Sequence, residues 1–324
     1  MKTTMSKQGD RDVLLSISHL SKSFGEVAAV CDLSLRVNRG EILGFLGPNG
    51  AGKTTTISMV CGLLKCDAGE IHIEGRSLSE EPRLCRRLMG LCPQNLVIWE
   101  GLTCREQLEY MGQLYDRDRA QARRRAQELL TIFGLTEKKH QLAKTLSGGM
   151  KRRLNIALAL VHDPPLLILD EPQAGLDPQS RLLVRDHIRS LAPQTTVILT
   201  THEMDEAERL SDRVAIIDHG RLLELDTPVN LKNRIGEGDV LEITIGPGQE
   251  SKRQRLRRAF TGPLRTLVAY QGDTLRLVGQ GMAQRLPDVL AKLRRFRLKP
   301  AGIVIRQKSL EDVFISLTGR ELRE

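Results

Sequence analysis

Gly47-Pro48-Asn49-Gly50-Ala51-Gly52-Lys53-Thr54 brings together glycines, a lysine and a hydroxyl at the spacing that a phosphate group requires. The glycines let consecutive backbone N–H groups turn inward around an anion, where a Cβ would obstruct them. A helix starting just after adds the positive end of its dipole. Lys53 supplies a mobile cation for β- and γ-phosphates, and the Thr54 hydroxyl is an oxygen ligand for Mg²⁺ bridging the same two phosphates. Thr55 follows on the same helical turn, so residues 47–55 are the candidate nucleotide-binding run. The flanks agree: 41–46 is a buried-strand pattern, and 55–64 continues as a mostly apolar helix.

Downstream, Leu166-Leu167-Ile168-Leu169-Asp170-Glu171 is an apolar run ending in two carboxylates, as expected of a central parallel strand whose C-terminal end meets a phosphate site. Asp170 would hold the metal shell and Glu171 would polarise an attacking water. Taken without the phosphate loop, the same pattern fits a core strand followed by a solvated acidic turn. Leu146-Ser147-Gly148-Gly149-Met150 leads into a helical pattern over 151–161. Read alone, Ser147-Gly148-Gly149 is a helix cap. In a chain with one phosphate cradle already, its hydroxyl, bare N–H groups and helix dipole make a second anion-binding device.

At that position, just before the acidic strand, the Ser-Gly-Gly closely resembles the signature motif of ATP-binding-cassette ATPases. In that family the signature of one subunit covers the γ-phosphate held by the phosphate loop of another. The resemblance covers about the first three quarters of the chain, with the motifs in the family's order. It implies that Phe24 stacks on adenine and that Gln94 reaches the metal and the attacking water. It also implies that Asp177 lies in a loop crossing a dimer interface and that His202 contacts the γ-phosphate. Two departures stand out. Met150 replaces the usual glutamine, and Gln173 stands where a small Thr or Ser is usual, beside the carboxylate Glu171.

The elements that must position these residues follow from the patterning. Strands are expected over 14–18, 33–37, 42–46, 70–73, 90–92, 166–170, 196–200 and 213–218, alternating with helices as in a wound α/β core with an antiparallel edge. From 95 to 144 strand patterning stops and charged helices such as 118–133 take over, which resembles the family's helical subdomain. Beyond about Leu231 the composition shifts. A strand at 240–245, a basic helix at 251–260, strands at 266–270 and 274–278, an amphipathic helix at 282–296 and a strand at 302–305 give the order βαββαβ, a ferredoxin-like appendage. The fold class expected is therefore α/β: a P-loop NTPase cassette with antiparallel β- and helical subdomains, plus a small α+β C-terminal appendage. The cassette is expected over 13–235, with its helical subdomain at about 95–165, and the appendage over 239–324. No second phosphate loop appears, so there is one cassette.

The chain has 324 residues and a formal net charge of +9. Residues 251–300 hold 13 Lys+Arg against 2 Asp+Glu, a local excess of +11 that leaves the remainder at −2. So dense a basic patch suits anionic lipid headgroups or nucleic acid. Aromatics are few there and no nucleic-acid-reading motif accompanies them, so a solvated face near an anionic leaflet is preferred to nucleic acid. No stretch approaches the ~18 apolar residues of a membrane span, and 1–11 lacks the apolar core of a signal peptide. A soluble, cytoplasmic protein is expected, held at the inner face of the membrane through a partner. The six cysteines show no metal-ligand spacing and read as reduced thiols.

The closing Ser309-Leu310-Glu311-Asp312-Val313-Phe314 resembles the ending of cassette subunits from drug, antibiotic, ion and polysaccharide exporters. The resemblance implies an ATPase that uses ATP and Mg²⁺, pairs head to tail as a homodimer or with another cassette, and drives separate polytopic permease subunits of an exporter. Two other readings stay open at this point: a soluble cassette protein acting on nucleic acid or ribosomes, and an ATP-binding interaction module with little turnover.

Overall fold

A computed structural model describes residues 13–192, 194–234, 238–245, 267–271, 274–296, 298 and 300–318. These form two compact units that divide between Thr227 and Pro228. The first opens with a hairpin of β1 (Val13–Phe24) and β2 (Val27–Asn38), paired antiparallel from Leu15↔Val37 to Phe24↔Val27. The five residues of β3 (Ile42–Leu46) are all buried, and α1 (Lys53–Val60) follows the glycine-rich loop. β4 (Ala68–Ile73) pairs with β1, and the two-residue β5 (Arg76–Ser77) closes an antiparallel sheet of order β2-β1-β4-β5.

After α2 (Pro82–Arg87) and β6 (Met89–Cys92) come three helices: α3 (Cys104–Leu114), α4 (Arg119–Ile132) and α5 (Gly148–Ala159). Reciprocal capping boxes, Thr103 with Glu106 and Asp118 with Gln121, fix the starts of α3 and α4 by satisfying N–H groups that a helix start leaves orphaned. Then follow β7 (Leu166–Asp170), α6 (Pro178–Leu191), β8 (Thr196–Thr201), α7 (Met204–Leu210), β9 (Arg213–Asp218) and β10 (Arg221–Asp226).

The second sheet has the order β10-β9-β3-β8-β7-β6, parallel except for the antiparallel edge strand β10. Its central strands feed two cores at once. Leu166 and Ile168 of β7 pack with residues of the antiparallel sheet and α1, whereas Leu167 and Leu169 pack with the helices α3 to α6. Side chains alternate faces along a strand, so burial on both faces demands the unbroken apolar run seen in the sequence. All eight strands expected in this unit are present. The two-residue β5 and the edge strand β10 are not among them; β10 turns back through His219-Gly220, both at positive φ (47° and 73°), a turn without the usual Asn-Gly or Asp-Gly signature.

The second unit begins with α8 (Pro228–Arg234), just before the composition shift near Leu231 and seven residues before 235, where the cassette is expected to end. Four strands follow, β11 (Asp239–Ile245), β12 (Leu267–Gln271), β13 (Thr274–Gly279) and β14 (Pro300–Arg306), with α9 (Met282–Arg295) preceding β14 and α10 (Leu310–Thr318) closing the unit. Their order β12-β13-β11-β14, with every neighbour antiparallel, is the order a βαββαβ chain adopts when its crossovers split the sheet. The basic helix expected over 251–260 lies outside the described residues. α8 packs on α10, burying Leu231, Leu310 and Phe314. Arg306 forks onto both oxygens of Asp312, at 2.7 and 2.9 Å, and onto Glu242 at 2.8 Å, tying the start of α10 to the sheet.

Candidate functional site

The phosphate loop connects the C-terminal end of the central strand β3 to α1, and its shape requires glycine at two points. A Cβ on Gly47 would lie 2.4 Å from the Ile217 carbonyl oxygen, and one on Gly52, at φ 98°, 2.4 Å from that of Ala29. The loop is thus pressed against neighbouring backbone and turns left-handed into the helix. Lys53 is buried and folds back over its own loop, donating to the carbonyls of Gly47 at 2.7 Å and Pro48 at 3.1 Å. Burial lowers its pKa, while the negative charges of Glu171 and Asp170 pull the other way. A phosphate entering the loop offers this cation stronger, charged acceptors than two carbonyls. Thr54 and Thr55 stand beside it on the first turn of α1, with Thr54 exposed.

Asp170 ends β7, and one carboxylate oxygen accepts from the Thr200 hydroxyl of β8. Glu171 is the next residue, at a positive φ of 47°, with its N–H held by the Thr200 carbonyl at 3.1 Å and hydroxyl at 3.0 Å. That backbone conformation is uncommon for a residue with a Cβ, and here it turns the Glu171 side chain off the strand direction. Gln94 Nε2 donates to Glu171 Oε2 at 3.0 Å, and His202 Nδ1 stands 3.0 Å from Glu171 Oε1. The three candidate catalytic residues, drawn from the ends of β6, β7 and β8, therefore meet at one carboxylate.

Ser147 caps α5 by accepting from Met150 N–H at 3.3 Å, and Asp177 caps α6 by accepting from Ser180 N–H at 3.0 Å. A hydrogen bond from the Ser180 side chain, followed by this one from its N–H, leads the causes that hold the Asp177 carboxyl below its usual range. The two helix starts abut: a Cβ on Gly149 would lie 2.3 Å from Ser180 Oγ. Ser147 and Gly148 are exposed, and a Cβ on Gly148 would meet nothing within 4 Å. The hydrogen bonds of this second anion-binding feature are separate from those joining Gln94, Glu171 and His202. Phe24 is half-exposed at the end of β1, with Lys22 Nζ 5.7 Å from its ring centroid. Gln173 is buried next to the Glu171-Pro172 turn, and its Nε2 has no hydrogen-bond partner among the described residues.

Three contributors were not legible in the sequence. Thr200 is an ordinary strand residue by pattern, yet it holds both acidic positions. Arg152 and Asn155 sit in a basic and polar stretch that reads as solvated, yet both are buried on α5 against the segments carrying Gln94 and Glu171. A polar pair at i, i+3 on an otherwise apolar helix face was the only available signal. Among the described residues no group of three or more His, Cys, Asp or Glu gathers as a metal cage. A hard cation held here would take one hydroxyl and one carboxylate from the protein and the rest of its oxygens from phosphate and water, and the donor set of Thr54 and Asp170, with Gln94, fits that. The six cysteines are free, and burial raises the Cys92 thiol to about 11, which makes it inert.

Known proteins are similar to this chain along most of its length. The family model described as ABC transporter matches residues 30–174. The daunorubicin/doxorubicin resistance ATP-binding protein DrrA of Streptomyces peucetius is 41% identical over 312 residues, covering 94% of this chain and 92% of that protein. The linearmycin resistance ATP-binding protein LnrL of Bacillus subtilis (strain 168) is 34% identical over 319 residues, covering 96% of this chain and 100% of its own. The Nod factor export ATP-binding protein I of Paraburkholderia xenovorans (strain LB400) is 40% identical over 318 residues, covering 97% and 99%. Among solved structures, one titled as the ATP binding subunit of an ABC transporter matches with a TM-score of 0.62 at 32% identity, over 69% of this chain and 93% of that one.

Proposed function

The chain belongs to the ATP-binding subunits of ABC transporters, and on that premise we propose that it binds and hydrolyses ATP to drive an exporter whose permease subunits are separate polypeptides. The observation that carries this is the Glu171 carboxylate engaged by Gln94 on one oxygen and His202 on the other, beside a phosphate loop whose lysine is already buried. Such a site works by positioning and electrostatics. Lys53 and the loop N–H groups neutralise the terminal phosphates. Thr54, Asp170 and Gln94 would hold Mg²⁺, which when bound supplies charge neutralisation across the two phosphates. Glu171 takes a proton from the attacking water, and His202 and Gln94 orient the carboxylate.

The exposed start of α5 supports a composite site, in which Ser147, Gly148 and Gly149 of a second cassette, with its Asp177 loop, close over the nucleotide. Phe24 is assigned to adenine. No helix among the described residues is long and apolar enough to cross a membrane. The relatives named for drug resistance and Nod factor export support a peripheral position on the inner face of the membrane, through the permease. The basic appendage, residues 239–324, is assigned to contact with anionic lipid, with nucleic acid disfavoured.

Hybrid dimers test the composite site. Mixing a Lys53→Ala protein with a Ser147→Arg protein yields dimers with one doubly damaged site and one intact site, so ATPase activity returns; no return in dimers shown to form counts against it. Co-purification tests the partner, since a polytopic membrane protein should accompany the chain from its native membrane.

A further inference from the structure

Arg152 lies in the second turn of α5 and is 3% exposed. Its guanidinium has five N–H donors, and all five are used. Nη1 donates to the carbonyls of Pro93 at 2.8 Å and Gln94 at 3.0 Å; Nη2 donates to those of Asp170 at 2.8 Å and Glu171 at 2.5 Å; Nε donates to that of Pro172 at 2.9 Å. The partners are all backbone carbonyls, so this buried cation is held by dipoles rather than by an acid. One turn further along the same face, Asn155 accepts from Val97 N–H at 3.2 Å and donates to Cys92 Sγ at 3.2 Å. A single helix thus grips the backbone on both sides of the Gln94–Glu171 contact.

We propose that Arg152 is a positioning residue through which the exposed start of α5 sets the geometry of Gln94 and Glu171 in its own chain. The inference rests on the composite-site reading above, in which that start faces the nucleotide of the partner copy. Arg152 is only about 6 Å along the helix axis from Gly148, at 1.5 Å per residue. Helices move as rigid rods, and a planar fork with every donor engaged cannot shift without dragging its acceptors. Closure of the partner's nucleotide onto Ser147 and Gly148 therefore moves the two carbonyl groups that aim Gln94 and Glu171. Occupancy of one site is read at the carboxylate of the other, a coupling with a defined mechanical element.

The test uses the full-length chain with Mg·ATP. The parental protein should hydrolyse ATP with a Hill coefficient near 2. Arg152→Gln should lower kcat by about 10- to 100-fold and bring the Hill coefficient to about 1, with monomer affinity for a fluorescent ATP analogue changed by less than about threefold, since the phosphate loop is untouched. Arg152→Lys keeps the buried charge, and with it the fold if Arg152→Gln is unstable. Its three donors on one point cannot span both segments, so cooperativity should be lost here too. A parental Hill coefficient of 1, or Arg152 variants that remain cooperative, overturns the proposal. Glu171→Gln in the same series separates the two readings. If it fails to trap an ATP-bound dimer, the composite site is wrong; if it traps one while Arg152→Lys stays cooperative, only the role of Arg152 is wrong.

Discussion

His202 and Glu171 face each other across 3.0 Å, Nδ1 to Oε1, from the ends of adjacent parallel strands. Because Gln94 takes the other oxygen, the carboxylate cannot rotate freely, and its direction is fixed before any substrate arrives. For the base proposed here, a carboxylate that needs no reorganisation at the moment of reaction is the arrangement that favours turnover.

Glu171→Gln should therefore separate binding from chemistry. The amide is nearly the same size and leaves Lys53 and the loop intact, so ATP affinity should stay close to parental. Turnover should fall by a factor on the order of 10²–10⁴, as for loss of a positioned base. Steady-state hydrolysis with an equilibrium binding measurement decides it, and parental turnover would remove Glu171 from the chemistry.

Gly52→Ala tests the shape of the loop. The new Cβ would sit 2.4 Å from the Ala29 carbonyl oxygen at a φ of 98°. A left-handed conformation alone costs a residue with a side chain about 1–2 kcal/mol, and the contact adds to it. The loop must open, and ATP affinity should drop at least about tenfold. Gly50→Ala, at φ 80° but with nothing within 4 Å, should lose less. Equal losses at both positions would show that backbone strain outweighs the contact.

Glu206, four residues after His202, is buried and accepts from the Thr201 hydroxyl at 2.5 Å, while its other oxygen has no hydrogen-bond partner among the described residues. Burial raises its pKa to about 7, against about 4.3 for an unfolded glutamate. Between those values the folded state holds the extra proton, so the contribution of Glu206 to stability is fully present below about pH 4.3 and is lost as pH rises through about 7, by an amount on the order of a few kcal/mol. Glu206→Gln keeps an acceptor for Thr201 and has no proton to lose. It should melt several degrees above the parent at pH 8 and close to it at pH 5. A difference independent of pH would show that Glu206 is not the titrating group.

Ending the chain at Thr227 removes the whole second compact unit. Every residue assigned to phosphate, metal or adenine precedes it, so Mg·ATP affinity should be retained. Binding to anionic vesicles should weaken, and that of the intact chain should fall with added salt, since headgroup attraction is screened over about 10 Å at 0.1 M. Co-sedimentation of both proteins at two salt concentrations is the measurement. A folded truncation without ATP affinity would show that the second unit completes the nucleotide site, and salt-insensitive vesicle behaviour would remove the lipid role.

The sequence by itself determined what is local. The phosphate loop is encoded within one strand-turn-helix unit, because glycines at 47 and 52, a lysine and a hydroxyl act on a concavity that the same few residues create. The unbroken apolar run of β7 announced a strand buried on both faces, and its end carries the two carboxylates proposed to face the phosphates. The tertiary structure decided what depends on chain segments far apart. Glu171 meets Gln94 and His202 only because β6, β7 and β8 lie side by side, and Arg152 finds its five acceptors in two segments that α5 reaches from outside the sheet. Only its i, i+3 spacing from Asn155 sets that arginine apart from its neighbours Lys151 and Arg153, because its role is set by the carbonyls facing it, and carbonyls leave no trace in sequence. The edge strand β10 and the placement of α8 with the second unit have the same cause: a His-Gly turn and a half-buried helix are settled by what they pack against rather than by the residues they contain.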